Sequence, residues 1–267
     1  MQAGISLDRD AAAQAALVVH LLDAAGDFVA ALETTMQSDD PHGPHQARVA
    51  LRRLRSLLAA YGPILDAGFV RGLEEEARQL FRHLGRIRDA DVILAATDAE
   101  PERNRRLAAA RKARRTVRKH LARGKAGGFA GRLEKRLAKK GWKAPGKSAR
   151  RLRKAPLAVL AAHALDRAAR EIQPDMALDR MDNRQLHDLR KEVKVNRYLT
   201  ETFGPVLQRE GWDASLEALK ELQDRMGQLS DMALAQRQDD TTVRAALIAA
   251  SQQLLDRVNA AGPWWRD

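Results

Sequence analysis

Apolar residues recur along this chain at helical spacing, three and four apart, and no alternating strand pattern breaks the rhythm. The residues between them are Ala, Arg, Glu, Gln and Lys, all good helix formers, and β-branched runs are scarce. The pattern predicts helices over Asp8–Met36, Pro44–Tyr61, Arg71–Thr97 and Glu102–Arg123. It resumes over Pro156–Gln173, Asp182–Phe203, Asp213–Gln236 and Asp240–Ala260. Pro44 and Pro156 suit first-turn positions, and Gly62-Pro63 and Gly204-Pro205 read as stops. From Gly124 to Lys154, glycines and Pro145-Gly146 interrupt the pattern, so this stretch reads as a mobile connector with one short helix.

The chain repeats itself with a shift of 142 residues, gap-free from His45 to Asp89. His45 falls on His187, Arg48 on Arg190, Arg52 on Lys194, Arg55 on Arg197 and Tyr61 on Phe203. Gly62-Pro63 falls on Gly204-Pro205, Gly85 on Gly227 and Asp89 on Asp231. The reading is an all-α chain of two homologous halves, about 7–123 and 155–262, each of about four helices, joined by a basic connector over 124–154.

Composition sharpens this picture. With no cysteine, disulfide scaffolds and thiolate metal sites are excluded, and a reducing, cytoplasmic setting is expected. No stretch reads as the run of about 18–20 apolar residues that a membrane span needs, and Met1–Asp10 lacks the basic start and apolar run of a signal peptide. The net charge of +12 is local: Arg103 to Lys154 holds 22 Lys and Arg against a lone acid, Glu134, while the rest of the chain is mildly acidic. Charge concentrated in this way attracts polyanions: nucleic acid, acidic membrane or phosphate chains.

The repeated segment reads His45-Gln-Ala-Arg48-Val-Ala-Leu-Arg52-Arg53-Leu-Arg55 in its first copy. The second reads His187-Asp-Leu-Arg190-Lys191-Glu-Val-Lys194-Val-Asn-Arg197. At about 100° per residue, His45, Arg48, Arg52 and Arg55 share an arc of about 80°. Ala47, Ala50, Leu51, Leu54, Leu57, Leu58 and Tyr61 take the opposite side. Three readings compete for this cationic stripe. Internal pairing would draw on Asp89, Asp91 or Asp231. A metal site fails on spacing, because arginines stand one turn from each histidine. A phosphate-binding face suits the residue types best, since guanidinium forks chelate phosphate oxygens and imidazole N–H donates. On the Glu102–Arg123 helix, Arg111, Arg114, Arg115 and Arg118 add a second cationic face, which either lines a groove with the first or faces solvent.

His-x-x-Arg-Val-x-x-Arg-Arg-Leu-Arg, then Gly-Pro, then Leu84-Gly85-x-x-Arg88-Asp89-x-Asp91, resembles the conserved histidine α-helical domain, CHAD, over nearly the whole chain. The resemblance implies two four-helix bundles related by a pseudo-twofold with a basic central groove or pore. It further implies binding of inorganic polyphosphate at polyphosphate granules; with the composition and spacing above, the reading is a non-catalytic, cytoplasmic binding module without cofactor or metal. The ligands it carries over are His45, Arg48, Arg52, Arg53 and Arg55, then His187, Arg190, Lys194 and Arg197 with Lys191 among them. The second copy departs from the pattern at Val195 and Asn196. Enzyme signatures are weak: no phosphate loop or nucleophile elbow is present, and Glu74 to Arg78 only mimics a triphosphate-tunnel strand. Two alternatives stand beside this reading. A nucleic-acid binder fits the charge but offers little stacking surface, with aromatics at 4%. Adhesion to a granule or lipid surface would use the Asp8–Met36 helix.

Overall fold

The structure, a computed structural model, describes residues 7–234 and 241–266. Every regular element among them is helical; two isolated bridge pairs are the nearest approach to strand. The chain divides into two compact units, residues 13–154 and a second made by residues 7–12 with 155–266.

The first unit holds α1 (Ala13–Gln37), α2 (His42–Ala60), α3 (Ala67–Ala95), α4 (Glu102–Arg123), α5 (Phe129–Ala138) and α6 (Lys147–Lys154). Consecutive helices pack in order: α1 on α2, α2 on α3, α3 on α4. All the positions assigned to the apolar side of α2 are buried, from Ala47 to Tyr61. Tyr61 caps α2, and its hydroxyl meets His20 Nδ1 of α1 at 2.8 Å. Gly62-Pro63 ends the helix as predicted, opening a short 3-10 turn. Asp66 then starts α3 by accepting from the Gly68 and Phe69 amides at 2.8 and 3.0 Å.

The 124–154 stretch is not a mobile connector. It forms α5, α6 and two 3-10 turns, all inside the first unit. The reason lies in four apolar residues: Phe129, Leu133, Leu137 and Trp142 are all buried, the first three at i, i+4, i+8 on one helix face. Phe129 meets Phe28 of α1 edge-on, with ring centroids 5.3 Å apart. Trp142 donates to the Leu137 carbonyl at 2.8 Å, and backbone bonds Asp66 N–H to Trp142 O and Ala144 N–H to Ile64 O tie the segment to the turn after α2.

The second unit holds α7 (Leu157–Glu171), α8 (Asn183–Leu207), α9 (Trp212–Leu234) and α10 (Thr241–Ala260) around a core that includes Leu186, Val193, Leu222, Met226 and Leu254. Asp182 and Gln185 form a reciprocal capping box at the start of α8. Gly204-Pro205 does not stop this helix, which continues to Leu207. Pro205 removes one helical bond, the amide that would donate to the Glu201 carbonyl, without ending the helix, and Gly204 is needed for another reason. A Cβ there would run into the Trp212 ring, so the glycine admits the indole that opens α9. The start of α1 falls at Ala13 rather than Asp8, and Asp8–Ala11 form a turn instead. The expected ends at Gln236 and Asp240 lie outside the described residues.

Among the described residues α1 is long and apolar enough to cross a membrane, which corrects the expectation that no stretch is. Leu17, Leu21, Phe28 and Leu32 of α1 are nevertheless buried within the first unit.

Candidate anion-binding site

With its apolar side committed to the core, α2 turns its cationic front toward α3. Arg48 Nη1 donates to the Phe81 carbonyl at 3.2 Å, and its guanidinium carbon sits 3.9 Å from the Phe81 ring centroid. Arg52 approaches the same ring at 5.1 Å. One turn beyond Phe81, a Cβ at Gly85 would stand 2.5 Å from Arg48 Nη1, so only glycine leaves room for this guanidinium. Arg88 follows on the same face of α3, since 81, 85 and 88 are spaced one helical turn apart.

The electrostatics of this cluster are one-sided. Burial and then the charges of Arg88, Arg52, His42 and Arg48 hold His45 below the usual imidazole range, with no carboxylate opposing. Burial, Arg52 and Arg88 also lower Arg48, and Asp89 alone counters them. The side chains of Arg52, Arg55 and Arg88 make no hydrogen bond or ion pair to the described residues. Like charges one turn apart repel by a few tenths of a kcal/mol per pair, and a bound anion relieves that repulsion.

The remaining first-unit candidates divide by what they touch. Arg53 turns to α1 and pairs with Asp27 at 3.3 Å. On α4, Arg111 and Arg115 are exposed and have no ion pair among the described residues. Arg114 is 4% exposed and donates to Asp91 Oδ1 at 2.6 Å. Arg118 donates through Nε to the Thr35 carbonyl at 2.8 Å and through Nη2 to the Ser38 carbonyl and to Asp39 Oδ1, the latter at 2.8 Å. These two arginines are therefore internal struts rather than surface ligands. Arg114 lies on the inward stripe with Ala110, Val117 and Leu121. Arg118 serves the carbonyls at the end of α1, which lack helical donors.

The second copy, on α8, has the same register and different partners. His187 is exposed, held low by burial, Lys191 and Arg190, with Asp188 opposing. Lys191 is paired with that Asp188 at 2.7 Å. A Cβ at Gly227 would stand 3.6 Å from Arg190 Nη2, an ordinary contact distance. Arg190 and Lys194 are half-buried and engage other groups of the chain. Arg197 is held firmly: Nε donates to Gln223 Oε1 at 2.9 Å, Nη1 to Glu201 Oε2 at 3.4 Å, and the guanidinium covers Tyr198 at 4.3 Å. Asn196, in the register of core Leu54, is buried and accepts from the Thr200 hydroxyl at 3.2 Å.

Reading the residues alone did not assign roles to Phe81, Gly85 and Arg88. Their signal was present in the Leu84-Gly85-x-x-Arg88 motif, whose spacing places Gly85 and Arg88 on one face of α3 with Phe81.

These features define a wholly helical protein whose motif helices bury one side and present cations on the other. The chain belongs to the CHAD domain family, whose model matches residues 19–238, and which is associated with polyphosphate binding. The crystal structure of the CHAD domain from the plant Ricinus communis resembles it with a TM-score of 0.71 at 23% identity, covering 97% of this chain and 94% of that one. PptA from Streptomyces chartreusis resembles it with a TM-score of 0.51 at 18% identity, covering 94% and 96%. At these identities the likeness is one of fold. No curated protein matches the chain.

Proposed function

We propose that this chain binds inorganic polyphosphate without transforming it, with the α2–α3 face as principal site, and does so in the cytoplasm at polyphosphate granules. The observation that carries the reading is the convergence of Arg48, Arg52 and Arg88 around Phe81 and Gly85, beside His45, where no carboxylate opposes the charges on His45 and Asp89 alone counters those on Arg48. A row of forked donors fits successive phosphates, and a ligand with charge at every unit relieves several repulsions at once. Exposed Arg55, Arg111 and Arg115 extend the cationic surface of the same unit. Membership in the CHAD family supports the choice of phosphate chains over other polyanions. On α8, Arg190 and Lys194 with His187 form a secondary contact.

The test is a calorimetric titration with long-chain polyphosphate, competed by single-stranded DNA at equal phosphate concentration. Polyphosphate should win, and binding should weaken steeply with salt as condensed counterions are released. A preference for DNA, or binding indifferent to salt, refutes the proposal.

A further inference from the structure

His83 of α3 and His120 of α4 stack across the seam between these helices, ring centroids 5.2 Å apart and planes 25° from parallel. His120 Nδ1 lies 2.8 Å from the Thr116 carbonyl of its own helix. A carbonyl only accepts, so Nδ1 carries a proton, and in the neutral ring Nε2 then presents a lone pair. In that form the ring offers an anion nothing to bind. Protonated, it becomes a donor through Nε2 while keeping its bond to Thr116.

The surroundings of the pair are cationic. The charges acting on His83 are His120 from α4 and Arg86 and Arg82 on its own helix; none comes from α2, and none is a carboxylate. With burial, they hold His83 below the usual imidazole range. Arg86 has no ion pair among the described residues, and Arg82 has a loose one, 3.8 Å from Glu75 with both side chains exposed. Two imidazolium rings at this separation repel, and an anion bound beside both offsets that repulsion.

The seam also continues from the site already described. Around α3, Phe81, Gly85 and Arg88 face α2, Arg82 and Arg86 follow about 100° further on, and His83 about 100° beyond Arg82. A polyanion seated on the α2–α3 face can cross α3 over Arg82 and Arg86 and arrive at the histidines.

We propose that His83 and His120 form a proton-linked phosphate clamp, a second contact on the first unit for the same polyphosphate chain; the inference rests on the polyphosphate reading above. Binding there takes up protons, and each proton taken up makes affinity rise up to tenfold per unit fall in pH.

The experiment titrates the full chain with long-chain polyphosphate at about pH 8 and about pH 6, values that bracket an ordinary imidazole. Each titration is run in two buffers of different ionisation heat, which counts the protons. Wild type should bind at least roughly tenfold tighter at the lower pH and take up protons. His45 and His187 titrate as well, so the variant decides. His83→Gln with His120→Gln should take up fewer protons, by one or more, and lose most of the gain at low pH, while a His163→Gln control behaves as wild type. If the double variant takes up as many protons as wild type, the clamp is wrong and the polyphosphate reading survives. If wild type binds polyphosphate at neither pH, the polyphosphate reading falls and the clamp with it. A second measurement needs no variant: imidazole nitrogen resonances of His83 and His120 should move toward the protonated form when tripolyphosphate is added near neutral pH. Unmoved resonances overturn the clamp.

Discussion

Gly85→Ala isolates the site from the fold. The added methyl would lie 2.5 Å from Arg48 Nη1, far inside van der Waals contact, so the guanidinium must leave. It is the end of a flexible side chain, and the backbone need not move. Leaving forfeits the bond to the Phe81 carbonyl and the stacking on its ring, about 1 kcal/mol and about 0.5–1 kcal/mol respectively. Replacing a mid-helix glycine by alanine returns about 1 kcal/mol. The stability terms nearly cancel, and the melting temperature should shift by only a few degrees. Affinity has no such compensation: a displaced charged donor costs about 1.5–3 kcal/mol, or roughly tenfold to a hundredfold in binding. Tripolyphosphate is the better ligand for this titration, because a long chain can mask one lost contact through its others. Gly227→Ala is the internal control. Its Cβ meets Arg190 Nη2 at 3.6 Å, so the same substitution in the second copy should leave affinity unchanged and stabilise the helix. A Gly85→Ala protein that melts like wild type and binds tripolyphosphate equally well would refute the reasoning.

Three further outcomes follow from the same contacts. Arg114→Ala should destabilise by about 3 kcal/mol or more, because it strands a buried Asp91, whereas Arg115→Ala should change stability by less than about 0.5 kcal/mol; denaturant melts of the two compare them directly. Arg52→Ala combined with Arg88→Ala should cut affinity more than Arg197→Ala does, with melting temperature preserved, because Arg197 is already occupied by Gln223 and Glu201. His20 is pushed down to about 4 by burial and Arg53, so it is neutral when folded and charged when unfolded at intermediate pH; folding stability should therefore fall by about 3 kcal/mol as pH drops from about 6.5 toward 4, and His20→Gln should flatten that part of the profile in pH-dependent melts.

Where the apolar periodicity was strong, the sequence could be read to the residue: the inner face of α2 is buried just where the helical wheel puts it. The same rule applied to 124–154 would have found Phe129, Leu133 and Leu137, but glycines and lysines dominate the local composition and hid a three-residue stripe. On α4 the wheel carries too few apolar residues to show which side is inward. Arg114 therefore looked like a surface cation, and its partner Asp91, on another helix, becomes identifiable only once α3 and α4 are packed. Gly204-Pro205 is ambiguous because a glycine can end a helix or admit a neighbour's ring, and the local sequence does not distinguish the two.

The two motif copies show why matching letters do not guarantee matching roles. Shifted by 142, Phe81 corresponds to Gln223 and Ala59 to Glu201. In the first copy the ring supports Arg48 and Arg52 from one side without neutralising them, and nothing at position 59 can pair with Arg55. In the second, the glutamine and glutamate take both edges of the Arg197 guanidinium, and Asp188, where the first copy has Gln46, takes Lys191. An anion arriving at α2 relieves repulsion that the fold has left in place. One arriving at α8 must compete with partners the chain already supplies and compensate for the bonds it displaces. The specificity of the first copy thus resides less in the His-to-Arg pattern, which both possess, than in three residues of the facing helix: an aromatic ring at 81, an absent side chain at 85 and an unpaired guanidinium at 88.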